Sequence, residues 1–258
     1  ISIHKFYAIH INSNYVRHNT LNLQQLLITH NITHDIKRRI PYIQQSLTDI
    51  QKISTQESPP NIPIGMHCFQ PNQCPAFSKC WKESPHHSVF SMHGTPIFDK
   101  YNYYCKGKTT LHLLNEFEFS KKIQQIQIVC NKEGLDYVNI PKIKQFLNKI
   151  TPPISFFDIE AFQSPIPPFS NVSPFDQIPF LFSLQIMKTI NSSPKQCYFF
   201  PNSTNDPRYE FAKSLIKQCP KKGSILVFNK SYETLALKKL GQQFPKLTSS
   251  LNDIRQRF

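Results

Sequence analysis

Nine residues, Ile154-Ser155-Phe156-Phe157-Asp158-Ile159-Glu160-Ala161-Phe162, constrain this chain more than any other stretch. They form an apolar run broken by two carboxylates two positions apart. In an extended strand successive side chains point to opposite faces, so Asp158 and Glu160 project from one face while Phe157 and Ile159 enter a core. Two carboxylates so placed are close enough to share a hard divalent cation, Mg²⁺ or Mn²⁺. Metals held in this way assist phosphodiester cleavage. The plainer alternative is a strand end with solvated acids.

Thr151-Pro152-Pro153 precedes this stretch and marks the clearest boundary in the sequence, because two prolines end a helix and launch an extended segment. A Pro- and Ser-rich loop at Gln163 to Asp176 follows, and then Ile178 to Met187 and Cys197 to Phe200 carry β-patterned runs. Asp206-Pro207 opens a helix with Phe211, Leu215 and Ile216 facing inward, Gly223 to Asn229 reads as a buried strand, and Tyr232 to Leu240 as a helix with Leu235, Leu237 and Leu240 apolar. Asp206 and Arg208 suit capping and bracing of their helix, and Asp176 and Gln177 suit loop structure. The order β-β-β-α-β-α predicts an α/β fold with a ribonuclease H-like mixed sheet and flanking helices.

Before the boundary, Phe6 to Asn12 reads as a strand at the edge of a sheet whose partners lie outside the chain. Asp35 to Ile53 reads as an amphipathic helix with Ile36, Ile40, Ile43, Leu47 and Ile50 on one face. After a polar, Pro-rich linker, Cys68, Cys74 and Cys80 stand at equal intervals, five residues between each pair. Thiolates so spaced can ligate zinc or an iron-sulfur cluster, which normally needs a fourth ligand: His67, a more distant cysteine, or a residue outside the chain. Short helices follow, with Ile123, Ile126 and Val129 on one stripe and a further helix starting near Ile140. The region before residue 151 is thus mainly helical and cysteine-containing.

Thirty Lys and Arg against sixteen Asp and Glu give a formal charge of +14, which favours a polyanionic partner, nucleic acid above all, through counterion release at phosphates. A solvated basic surface is the alternative. No run of eighteen apolar residues suggests a membrane span, and the default setting is cytoplasmic. The chain opens on Ile1 as though in the middle of a fold, and it reads as truncated at both ends.

Asp158-Ile159-Glu160, followed by Asn229-Lys230-Ser231-Tyr232-Glu233, resembles the first two motifs of the proofreading-type 3′–5′ exonuclease superfamily, with Glu233 where Asp is usual. More closely, Ile64 to Cys68, Cys74-Pro75, Cys80-Trp81, Phe156 to Glu160, Asp176 to Phe180, Asp206 to Arg208 and Val227 to Asn229 resemble the family known as domain of unknown function 2779. Members of that family resemble a RecB-like nuclease domain fused to a ribonuclease H-like exonuclease domain. The resemblance implies three parts: the tail of an incomplete RecB-like domain at 1–57, a cysteine-cluster segment and helical connector at 58–150, and an incomplete exonuclease domain at 151–258. It implies catalytic metal ligation by Asp158, Glu160 and Glu233, substrate contact by Asn229, and an incomplete iron-sulfur site, or alternatively zinc, at Cys68, Cys74 and Cys80. The expected activity is metal-dependent 3′–5′ hydrolysis of nucleic acid, DNA ahead of RNA, impaired here because a final Asp-bearing helix is missing and Asp253 follows the second motif too soon. The alternative is a non-catalytic nucleic-acid-binding or assembly module.

Overall fold

The computed structural model describes residues 3–82 and 84–258. The chain divides into two compact units, one of residues 1–43 and 142–258 and the other of residues 44–141.

In the first unit, β3 (Ile154–Phe162), β4 (Ile178–Met187) and β5 (Lys195–Phe199) run as an antiparallel meander. The chain then passes through α7 (Arg208–Gln218) to β6 (Ile225–Leu226), which pairs parallel to β3 and gives the sheet order β5-β4-β3-β6. Helices α8 (Lys230–Gln243) and α9 (Thr248–Gln256) complete the segment. The expected mixed sheet with flanking helices is therefore present. β6 is much shorter than the expected strand of residues 223–229: only Ile225 and Leu226 pair, and α8 starts four residues later. Helix α9 was not anticipated by the sequence reading.

One face of this sheet makes the core. Phe157 and Ile159 of β3, Phe182 and Leu184 of β4, and Ile225 of β6 meet Phe211, Ala212 and Leu215 of α7, Leu237 and Leu240 of α8, and Leu251 and Ile254 of α9. Each such aliphatic or aromatic side chain contributes about 1.5–3 kcal/mol by leaving water. Leu235 faces outward and is half exposed, because Glu233, Leu237, Leu240 and Gly241 already occupy the inward stripe of α8.

The start of the sheet is pinned by a short reciprocal network. Ser155 donates its N–H to Ser224 O at 2.9 Å, Ser224 donates to Thr151 O at 2.9 Å, and Thr151 donates to Ser224 Oγ at 3.0 Å. Gly223 makes this approach feasible. It sits at φ +88°, and a Cβ there would collide with the Pro153 backbone.

β1 (Tyr7–Ile11) pairs antiparallel with β2 (Leu27–Asn31), so its partner lies within the chain, contrary to the expectation of an outside strand. The alternation of Leu27 to Asn31 supplies that partner. α1 (Leu23–Leu26) precedes β2, and Arg17 ties this hairpin to the loop after β3, donating from Nη1 to Pro167 O at 3.0 Å and Pro168 O at 2.6 Å. α2 (Thr33–Ser54) matches the expected amphipathic helix, but none of its residues is buried.

The second unit holds α3 (Phe77–Cys80), α4 (Ile97–Cys105) and α5 (Lys122–Glu133). Its core gathers Val89, Met92, Leu111, Leu114, Phe119 and Ile128. Gln124 and Ile128, rather than Ile123, face inward on α5, with Gln124 Nε2 donating to Thr95 Oγ1 at 2.8 Å. α6 (Ile140–Leu147) starts where Ile140 was expected to begin a helix. Gly223→Ala is expected to cost at least about 2 kcal/mol through its φ and its collision with Pro153, measured as a loss of unfolding free energy in urea; an unchanged midpoint would show that the turn relaxes freely.

Candidate functional site

β3 alternates as its sequence predicts: Ser155, Phe157 and Ile159 are buried while Phe156, Asp158 and Glu160 are exposed. Asp158 stands opposite Ser183 and Glu160 opposite Leu181 on β4, and the register shifts by a bulge between Glu160 and Ala161, where the ladder reaches Pro179. Proline cannot donate to a ladder, and a bulge at that point is the usual accommodation.

The third acid arrives from the neighbouring parallel strand. Just past β6, Asn229 caps α8, its Oδ1 accepting from Tyr232 N at 3.3 Å. Asn229 is exposed, with its side-chain oxygen engaged in this cap, which is a helix-starting role rather than a demonstrated substrate contact. Glu233 then falls in the first turn of α8 at 2 % exposure, and its Oε2 has no hydrogen-bond partner among the described residues. The partial positive charge of a helix N-terminus lowers the cost of burying that carboxylate.

Tyr232 feels the charge of all three acids. Its half-buried phenol is pushed above the ordinary value of 10.0, first by burial and then by the negative charges of Glu160, Glu233 and Asp158. All three carboxylates therefore lie within electrostatic reach of one hydroxyl, which the sequence reading did not single out.

Pairing separates these acids from the rest of their segment. Of the seven Asp and Glu in residues 151–258, four are ion-paired: Asp176 with Lys239 at 3.1 Å, Asp206 with Arg208 at 2.7 Å, Glu210 with Lys213 at 3.5 Å and Asp253 with Arg257 at 3.3 Å. The other three are Asp158, Glu160 and Glu233, and none has an ion pair among the described residues. Asp206 also accepts from Arg208 N at 3.1 Å, which bears out its bracing role at the start of α7. Asp176 accepts from Ser173 N at 2.9 Å and belongs to its loop, as expected. A cleft of about 480 Å³ alongside α8 is lined by Asp176, Arg208, Leu235 and Lys239, but its charged groups already neutralise one another.

The donor chemistry of Asp158, Glu160 and Glu233 suits a hard cation, and the orphaned Glu233 oxygen is the atom such an ion would satisfy. The three do not close into one ligand group: among the described residues no set of three or more His, Cys, Asp or Glu side chains is arranged to hold a metal ion. The same holds for the thiols. Cys68 is buried, Cys74 half-buried and Cys80 exposed at the end of α3, all of them free. Cys74 N donates to Cys68 O at 2.9 Å, which brings two of the backbones together without gathering the sulfurs into a cage. The Tyr101 phenol is pushed up, first by Cys105 and least by Cys68, so a fourth cysteine outside the regular spacing acts on the same tyrosine as Cys68.

Residues 155–258 match the model of a family described as Domain of unknown function (DUF2779). No curated protein and no solved structure matches the chain. No helix among the described residues is long and apolar enough to cross a membrane.

The Tyr232 phenol contributes stability that is full below pH 10.0 and is lost as the pH rises through its raised folded value. Glu160→Gln removes the largest of the charges acting on it. Ultraviolet titration of the ionising tyrosines is expected to show one phenol moving down towards the ordinary value in that variant, whereas an unaltered titration would place Glu160 out of reach of Tyr232.

Proposed function

We propose that this chain, whose residues 155–258 match the model of the Domain of unknown function (DUF2779) family, carries the carboxylate half of a metal-dependent nuclease site in a ribonuclease H-like domain. One observation carries the reading: in a chain of net charge +14, the two carboxylates of β3 and the one in the first turn after its parallel neighbour have no ion pair among the described residues, and a buried oxygen of Glu233 has no hydrogen-bond partner among them. Burying the Glu233 carboxylate with one oxygen unpartnered is costly, and a cation is one group that would satisfy it. The sheet order, an antiparallel meander with a parallel strand beside its first member, supports the ribonuclease H-like assignment.

Asp158, Glu160 and Glu233 would hold Mg²⁺ or Mn²⁺, which supplies charge neutralisation at a phosphate and a more acidic bound water. The remaining work belongs to the chain. Asn229 fixes the first turn of α8, so Glu233 is held at a constant height beside β3. The buried face of β3 holds Asp158 and Glu160 on a rigid strand instead of a loop. Tyr232, kept protonated well past neutral pH, presents a hydroxyl that can donate to an anionic oxygen among the carboxylates. The substrate that suits a basic chain with such a site is a nucleic-acid strand, and the resemblance to proofreading-type exonucleases implies single-stranded DNA cleaved from its 3′ end. Cys68, Cys74 and Cys80 enter this reading only as candidate ligands of a separate structural zinc or iron-sulfur centre, and no catalytic step depends on them.

A second reading, a non-catalytic nucleic-acid-binding module, is favoured by the failure of the three acids to close into one ligand group. The two part company in a direct assay. Asp158→Ala in the full-length protein is expected to reduce Mn²⁺-stimulated degradation of single-stranded DNA to background while leaving the fold intact by circular dichroism. Undiminished degradation sinks the nuclease reading, and binding that survives EDTA and strengthens when the acids are removed supports the binding module.

A further inference from the structure

Phe228 stands between β6 and α8 and is the most exposed large apolar side chain among the described residues, at 101 %. Its neighbours are committed to the fold: Val227 packs against the core and Asn229 caps α8. The ring of Phe228 is left entirely to solvent, and it lies one residue before that cap and five before Glu233.

The sheet face beside it carries more rings. Parallel pairing sets Phe156, 42 % exposed, level with Leu226, two residues before Phe228. Along β3 the next residue on that face is Asp158. The row Asp158, Ser183, Tyr198 crosses three strands and ends on a ring that is 68 % exposed. At about 4.8 Å between strands, Tyr198 stands roughly 10 Å from Asp158. Exposed aromatics thus flank the carboxylates along the strand, across the sheet and at the edge loop.

We propose that Phe228 stacks on a base at the end of a single-stranded nucleic acid, with Phe156 and Tyr198 extending the platform over the sheet face. The proposal rests on the reading of Asp158, Glu160 and Glu233 as a phosphodiester site. Unpaired acids repel phosphates, so a strand held here needs a source of affinity other than its charge. Base–aromatic stacking provides one that tolerates any sequence, because every base has a π-face. A duplex keeps its bases stacked on each other and cannot use it. The segment 151–258 carries thirteen Lys and Arg against seven acids, so its surroundings draw a polyanion towards the face even though the three acids do not. Those surroundings favour a nucleic acid over an apolar peptide as the occupant.

The test uses the intact chain with two probes, oligothymidylate and an abasic oligomer of the same length, in EDTA so that neither is consumed. Phe228→Ala is expected to weaken oligothymidylate binding about tenfold and to leave the abasic oligomer unaffected. Phe228→Trp adds an optical readout, because the chain's single tryptophan, Trp81, is 9 % exposed and Phe228 is wholly exposed. Its emission should be quenched by oligothymidylate and unchanged by the abasic strand. Equal oligothymidylate affinity in wild type and Phe228→Ala, or equal losses on both probes, overturns the proposal, as does quenching by an apolar peptide alone. If the base-dependent loss is seen while the wild-type protein shows no Mn²⁺-stimulated hydrolysis, the nuclease reading fails and the stacking site stands. If hydrolysis is present and Phe228→Ala binds both probes normally, the stacking site alone fails.

Discussion

Two residues of parallel pairing, Ser155 with Ile225 and Phe156 with Leu226, are the contact on which the candidate site depends. They set β6 beside β3, and the cap at Asn229 turns the chain into α8 soon afterwards. That pairing and that cap together put Glu233 in the first turn of the helix that follows the strand beside β3. In open α/β sheets, loops at the carboxyl ends of adjacent parallel strands are where ligands bind, because strand direction and helix N-termini converge there. The antiparallel meander on the other side of β3 contributes rigidity: its inward face, Phe182 and Leu184, is fully buried against Phe211 and Leu215.

The charge distribution gives that placement its meaning. Surface ion pairs contribute little stability, so the pairing of Asp176, Asp206, Glu210 and Asp253 marks ordinary acids finding ordinary partners in a basic chain. Asp158, Glu160 and Glu233 stand apart from that pattern, and one of them is buried with an unsatisfied oxygen. A fold that tolerates such a cost usually retains it for a ligand. Tyr232 shares the environment, and its raised proton affinity follows from desolvation before it follows from charge.

Much of this was legible in the sequence because it depends on period and local chemistry. A two-residue period placed Asp158 and Glu160 opposite Phe157 and Ile159, and the resemblance of Asn229 to Glu233 to an exonuclease motif at a helix start placed Glu233 in a first turn. Features governed by tertiary contacts were not legible. Ile225-Leu226-Val227-Phe228 reads as one strand, but pairing ends at Leu226 because the helix cap takes over. Leu235 and Ile123 look like core residues, but neighbouring turns of their helices supply the inward stripe. Helix α9 contains Ser249, Ser250, Asn252 and Asp253, poor helix formers, and is held by Leu251 and Ile254 packing on the core. The partner of β1 lay in a short alternating run that propensity alone does not distinguish from loop. Cys105 and Cys68 both act on the Tyr101 phenol, a relation that spacing cannot express.

The brevity of β6 has a kinetic side. Proteins open in parts as well as globally, and the parts that open first are those with the fewest protected backbone bonds. Ile225 spends its N–H on Arg257 O at 2.9 Å, so the strand is held on one side by β3 and on the other by the last residues after α9. The first turn of α8 is therefore placed by a few backbone ties of β6, to β3 and to Arg257, while the rest of the helix is held by Leu237 and Leu240 in the shared core. The placement of Glu233 thus rests on far fewer protected backbone bonds than the placement of Asp158 and Glu160, whose strand is paired along its whole length with β4.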